Sequence, residues 1–140
     1  MIIDQVFGSK KYNISKILQK EYGDMLSKKV LAKTGPKELL ITSDYETALT
    51  LGINACKKLF KKLDAEGIDF KNNIHNIFSV TESPDMLFPG NGTQIASNLK
   101  LSEDISVFDI NAGCTGFVDA VRLCFGMSKP ALIVCSETYL

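Results

Sequence analysis

The chain has no tryptophan, one histidine and no charge excess: sixteen basic side chains meet sixteen acidic ones across 140 residues. Balanced charge argues against a dedicated nucleic-acid binder and a polybasic membrane-surface protein, both of which carry clustered Lys and Arg. No apolar run reaches the roughly eighteen residues of a spanning helix. The start, Met1-Ile2-Ile3-Asp4-Gln5, lacks the basic opening of a secretory signal, so a soluble cytoplasmic protein is expected. The four cysteines, Cys56, Cys114, Cys124 and Cys135, form no C-x-x-C pair. With one histidine this argues against a zinc site, and without a signal it argues against a disulfide framework. Gly90-Asn91-Gly92 is followed by no Lys-Ser/Thr and is not a phosphate loop.

What remains is an ordinary globular mix, 45% hydrophobic, on a length that suits one domain over residues 1–140. The pattern predicts a short strand at 2–7, one or two Lys-rich surface helices over 14–31, a turn at 33–36 and a short strand at 39–41. The next helix is the clearest. Ser43 and Glu46 have capping-box spacing, and Leu49, Ile53, Cys56, Phe60 and Leu63 recur with a 3.6-residue period. Lys57, Lys58, Lys61 and Lys62 form its solvated side, and Gly67 ends it. Three apolar runs follow, at 74–80, 105–110 and Ala131–Cys135, with helices around Ile95–Leu99 and over 115–126 between them. Their scant alternation predicts parallel strands covered on both faces, hence an α/β fold with right-handed crossovers. Residues 130–140 read as a buried strand with almost nothing after it. The 115–126 helix is apolar nearly all round, broken only by Asp119 and Arg122. Such a helix is expected to be buried in a structure larger than one sheet and its cover.

Cys56, Cys124 and Cys135 fall on apolar stripes and are expected to pack as small hydrophobes. Cys114 differs. Asp109-Ile110-Asn111-Ala112-Gly113-Cys114-Thr115-Gly116-Phe117 joins a strand to the apolar helix. Small residues permit a sharp turn, and a helix N-terminus favours a thiolate. Those facts leave two readings level: a nucleophile, or a structural cysteine in a glycine-rich turn. His75, at the start of a strand, is expected to be structural. Glu82 and Asp85 are expected to cap turns rather than hold a cation, and no metal site is expected.

Several segments together resemble the N-terminal half of β-ketoacyl-acyl-carrier-protein synthase III, a thiolase-fold condensing enzyme. They are Lys33-Thr34-Gly35, Ser83-Pro84-Asp85 with Phe88-Pro89, the segment around Cys114, and Leu132-Ile133-Val134-Cys135-Ser136-Glu137. The likeness covers residues 33–136, and Cys-x-Gly-Phe is its most specific part. It implies a layered, thiolase-like α/β fold with a mixed, mostly parallel sheet, of which this chain is the first half and the second is absent. It implies that Cys114 takes an acyl group from a thioester and passes it to malonyl-carrier protein by decarboxylative condensation, as in fatty-acid biosynthesis. It implies a homodimer through this half, with Phe88 near the acyl pocket and Lys33 on the substrate side. No bound cofactor is expected. The partners are acyl carrier protein and an acyl thioester.

Three features depart from the family pattern. Its decarboxylating His and Asn belong to the second half, and a thiolate alone does not stabilise decarboxylation. Lys29 stands where many members carry a coenzyme A-stacking Trp. Lys33 replaces an Arg, a better planar binding group. These departures put a carrier-protein donor ahead of coenzyme A. Two alternatives remain: a non-catalytic half that binds a partner subunit or carrier protein, and a simple cysteine acyltransferase or thioesterase.

Overall fold

The structure, a computed structural model, describes residues 2–35 and 37–138. It divides into two compact units, one of residues 7–45 and one of residues 1–6 with 46–140.

In the smaller unit, strand β1 (Lys10–Asn13) leads directly into helix α1 (Ile14–Thr34) and pairs antiparallel with β2 (Glu38–Ile41), Lys10 opposite Ile41. Asn13 caps α1, its Oδ1 accepting from the Lys16 N–H at 3.0 Å. Gly23, at φ 72°, interrupts the helix, so the surface helix of the sequence is two helical segments about a glycine. The expected turn at 33–36 starts later. Lys33 and Thr34 still belong to α1, Gly35 closes it at φ 82°, and Pro36 lies outside the described residues. The strand expected at 2–7 does not form. Residues 2–8 have no regular structure, and 4–5 are held instead by Lys58, whose ammonium meets Asp4 at 2.8 Å and donates to the Gln5 carbonyl at 3.0 Å.

The larger unit contains α2 (Ala48–Ala65), β3 (Asn76–Val80), α3 (Asn91–Asn98), β4 (Ser106–Ile110), α4 (Gly116–Phe125) and β5 (Ala131–Cys135). Its sheet runs β4-β3-β5, all parallel, with Val80 aligned on both Ile110 and Cys135. The parallel and antiparallel pairings therefore belong to two separate sheets. Period-2 alternation gives each strand two apolar faces. One face packs Ile77, Leu132 and Val134 against Ile53, Cys56 and Phe60 of α2 and Ile95 of α3. The other sets Phe78, Val80 and Ile133 against Ala120 and Cys124 of α4. Phe78, fully buried, stacks on Phe108 with ring centroids 5.0 Å apart.

Of the expected α2 stripe, Ile53, Cys56, Phe60 and Leu63 are buried and the four lysines exposed, while Leu49 is half-buried and Leu51, outside the expected stripe, is buried. The α2 cap differs. Thr47 and Thr50 form the capping box, four residues beyond Ser43, and the Asp85 carboxylate also accepts from the Leu49 N–H at 2.9 Å. The expected all-round burial of α4 is not found in this chain. Only Gly116 and Ala120 are buried, while Phe117, Val118, Leu123 and Phe125 are exposed. A sheet face can cover one side of a helix, and no described element covers the others.

Candidate active site

Three segments leave the carboxyl ends of the parallel strands together: 81–83 after β3, 111–115 after β4 and 136–138 after β5. Crevices outside these strand ends are where α/β sheets bind ligands. Their convergence follows from register, because Val80, Ile110 and Cys135 lie side by side. Backbone bonds then tie the exits, Thr81 N–H to Ile110 O at 3.1 Å and Ser136 N–H to Val80 O at 3.2 Å.

Cys114 is exposed in the middle segment, two residues ahead of α4. The turn closes through the Gly116 N–H to the Gly113 carbonyl at 2.9 Å. Thr115 occupies the cap position and makes no side-chain capping bond, so of the first-turn N–H groups the Gly116 one is met by Gly113 and none by the cap side chain. Gly116 is buried where a side chain would overlap Val80, so glycine lets α4 start directly on the sheet. Gly113 faces another neighbour. A Cβ there would lie 2.9 Å from Glu82 Oε2, which puts that carboxylate against the backbone next to the thiol.

Glu137 organises the rim. Its Oε1 accepts from the Glu82 N–H at 2.6 Å, and its Oε2 accepts from Ser83 Oγ at 2.8 Å and Thr81 Oγ1 at 3.1 Å. Ser83 Oγ in turn accepts from the Thr138 N–H at 3.1 Å. Sequence reasoning assigned none of this network. Its available signal was that Thr81 and Ser136 follow paired residues of parallel strands.

The other three cysteines separate from Cys114. Burial pushes the Cys56 thiol up to about 12, and burial also raises Cys124. Cys135, expected to be packed, is exposed as a residue at the strand's end, although partial desolvation and then the Glu137 charge raise its thiol. His75 sits at the opposite edge of the sheet. Its N–H donates to Pro130 O and its carbonyl accepts from Ser106 N–H, and it lines a polar cleft with Asp104 and Lys129. A five-residue strand, about 16 Å, separates that edge from the Cys114 turn. Asp85 serves the α2 N-terminus, and among the described residues no three His, Cys, Asp or Glu side chains could share a metal. Phe88 is 87% exposed beside exposed Met86 and Leu87, its bond to Pro89 cis. Lys33 is in the other compact unit, exposed in the last turn of α1.

The chain has relatives in both sequence and fold. It is 36% identical over 132 residues to β-ketoacyl-[acyl-carrier-protein] synthase III of Blochmanniella floridana, covering 91% of this chain and 40% of that protein. The chain resembles the N-terminal region of that synthase. The synthase III of Campylobacter curvus is 37% identical over 114 residues, covering 77% of this chain and 33% of that protein. The chain thus spans less than half the length of these curated relatives. No protein-family model matches it. A crystal structure of 3-oxoacyl-(acyl-carrier-protein) synthase III superposes with a TM-score of 0.83 at 26% identity, over 99% of this chain and 41% of the other. MvaS in complex with 3-hydroxy-3-methylglutaryl coenzyme A shares the fold, with a TM-score of 0.81 at 20% identity, over 96% of this chain and 32% of that one. The fold is thiolase-like, and the likeness to synthase III extends to sequence.

Proposed function

We propose that this chain carries the nucleophile of a synthase III-like acyltransferase, with Cys114 accepting the acyl group. The observation that carries the reading is the exposed thiol at the uncapped start of α4, in a chain 36% identical to a named synthase III. The Cys114 thiolate attacks the thioester carbonyl, the new S–C bond forms, and the donor thiol leaves and takes up a proton. In the second half-reaction malonyl-carrier protein loses carbon dioxide. The resulting carbanion attacks the acyl carbonyl, and Cys114 leaves as thiolate. Stabilising that carbanion requires groups outside this chain, since its one histidine is at the far edge of the sheet.

The carrier-protein partner follows from the relatives' names, and the placement in fatty-acid biosynthesis and in the cytoplasm follows from the family resemblance. No described helix is long and apolar enough to cross a membrane. Lys29, Lys33 and the absence of tryptophan favour a carrier-protein-bound donor over coenzyme A. Homodimerisation through this half is supported by β4, which pairs on one side only and exposes Phe108, the sort of open edge that another strand covers. Phe88, exposed on the neighbouring loop, belongs to the substrate side of such an assembly. Lys33 is assigned to donor binding by the resemblance. Competition between acyl-coenzyme A and acyl-carrier protein for labelling of Cys114 tests the donor. Faster labelling from the carrier protein is expected, and a clear preference for coenzyme A would overturn that assignment.

A further inference from the structure

The sheet of the larger unit stays open at β5, which pairs with β3 and with no other described strand. One bond fixes which way each β5 residue faces. Ser136 donates its N–H to the Val80 carbonyl at 3.2 Å, so Ser136 faces β3. Direction alternates along a strand, and Leu132 and Val134 therefore face β3 as well. The N–H and C=O groups of Ala131, Ile133 and Cys135 face outward, and no described backbone group bonds them there. Along this edge runs an apolar cleft of about 480 Å³, lined by the same three residues. On the α2 face of the sheet it is walled by Leu59, Leu63 and Phe70. Phe117 of α4 walls it on the other face, and Phe117 and the neighbouring Ile68 remain 41% and 40% exposed. Ile2 and Ile3 also line the cleft, with no described backbone bond to β5.

An extended strand is the occupant that meets this surface. It pairs with the outward N–H and C=O groups, as an added strand does at an open sheet edge. Its side chains alternate between the α2 wall and the Phe117 wall, and both walls are apolar, so the strand is apolar on both faces. An acyl chain would fill the same space but leave the backbone row without partners. The stretch shared with the synthase III relatives is less than half of each relative, so each has further polypeptide outside it. We propose that the cleft along β5 receives one strand from the part of a synthase III polypeptide that this chain does not match. The proposal uses no chemistry at Cys114 and stands apart from the reading of that residue as nucleophile.

The full chain is titrated with overlapping peptides of about twelve residues, long enough for one strand, that tile the Blochmanniella floridana synthase III outside the matched stretch. Amide hydrogen exchange is read residue by residue. In the free chain Leu132 and Val134, bonded to β3, are expected to exchange slowly, and Ile133 and Cys135 quickly. One peptide, apolar on both faces, is expected to bind and to slow exchange at Ile133 and Cys135 by about tenfold or more. It is also expected to slow alkylation of the Cys135 thiol, which lines the cleft. N-methylation of every second peptide residue is expected to weaken binding by about tenfold or more in the register that faces β5. Phe117→Ser, at an exposed position, is expected to weaken it several-fold. No binding peptide, binding that leaves the Ile133 and Cys135 amides unprotected, or equal binding of both N-methylated registers and the parent peptide each overturns the proposal. So does protection of these amides by decanoate alone, which assigns the cleft to an acyl chain. Protection that grows with the concentration of the free chain overturns it too, and assigns the edge to a second copy.

Discussion

Gly116→Ala tests whether α4 rests on the sheet as closely as the turn geometry requires. An added Cβ would overlap Val80 Cγ1 and stand 3.2 Å from Ala112 Cβ and 3.7 Å from Ile110 Cγ2. Val80 is 3% exposed and belongs to the cluster with Phe78 and Ala120, so it has little room to retreat. Overpacking of this kind costs about 1–3 kcal/mol. Replacing glycine by alanine returns at most about 1 kcal/mol of helix propensity, and less at the first helical position. The net expectation is a loss of about 1–2 kcal/mol, or roughly 4–8 °C in Tm for a chain of this size. Gly126→Ala is the control on the same helix. Its nearest neighbour is Leu123 O at 3.5 Å and its φ is −83°, so alanine fits and is expected to be neutral or slightly stabilising. Urea and thermal denaturation followed by circular dichroism measure both. Equal stability of Gly116→Ala and the unmodified chain would refute the close approach.

The Cys56 thiol, raised by burial from an ordinary 9.0 to about 12, makes stability depend on alkaline pH. The unfolded thiol ionises first, so this contribution is whole below pH 9.0 and is lost progressively as pH climbs through that range toward about 12. Urea midpoints should fall above pH 9.0, and less so in Cys56→Ala. Thr47→Ala removes the acceptor for the Thr50 N–H at 3.2 Å and should cost about 1 kcal/mol by the same measurement. Glu137→Ala leaves the Glu82 N–H and the Thr81 and Ser83 hydroxyls without their shared acceptor. A loss of about 2 kcal/mol is expected, with faster hydrogen exchange at the Glu82 amide. Unchanged exchange there would show that Glu137 does not hold the rim.

The three parallel strands, the helix stripes and the Cys114 turn were readable because each is local: a period, a run of β-branched residues, a cluster of small residues. What escaped depends on distant partners. Thr47 outcompeted Ser43 as the α2 cap, and Asp85 reinforced that start from 36 residues away. Residues 2–7 are apolar enough to suggest a strand, yet Lys58 holds Asp4 and Gln5 outside any sheet. Cys135 has a strand's apolar neighbours in sequence, but its place at the end of an edge strand leaves it exposed. The apolar circumference of α4 led to an expectation of all-round burial that this chain does not show. It could not say which of its sides this chain covers, and only the line through Gly116 and Ala120 is buried. Within the candidate site, the cysteine could be picked from its neighbours, while the Glu137 clamp arises only when the ends of separate strands meet.

Incubation with an acyl thioester, followed by intact-mass measurement and peptide mapping, tests the nucleophile assignment most directly. One adduct is expected, on the peptide bearing Cys114 and lost in Cys114→Ser, with buried Cys56 unmodified. An adduct that persists in Cys114→Ser, or that maps to Cys56, Cys124 or Cys135, would contradict it.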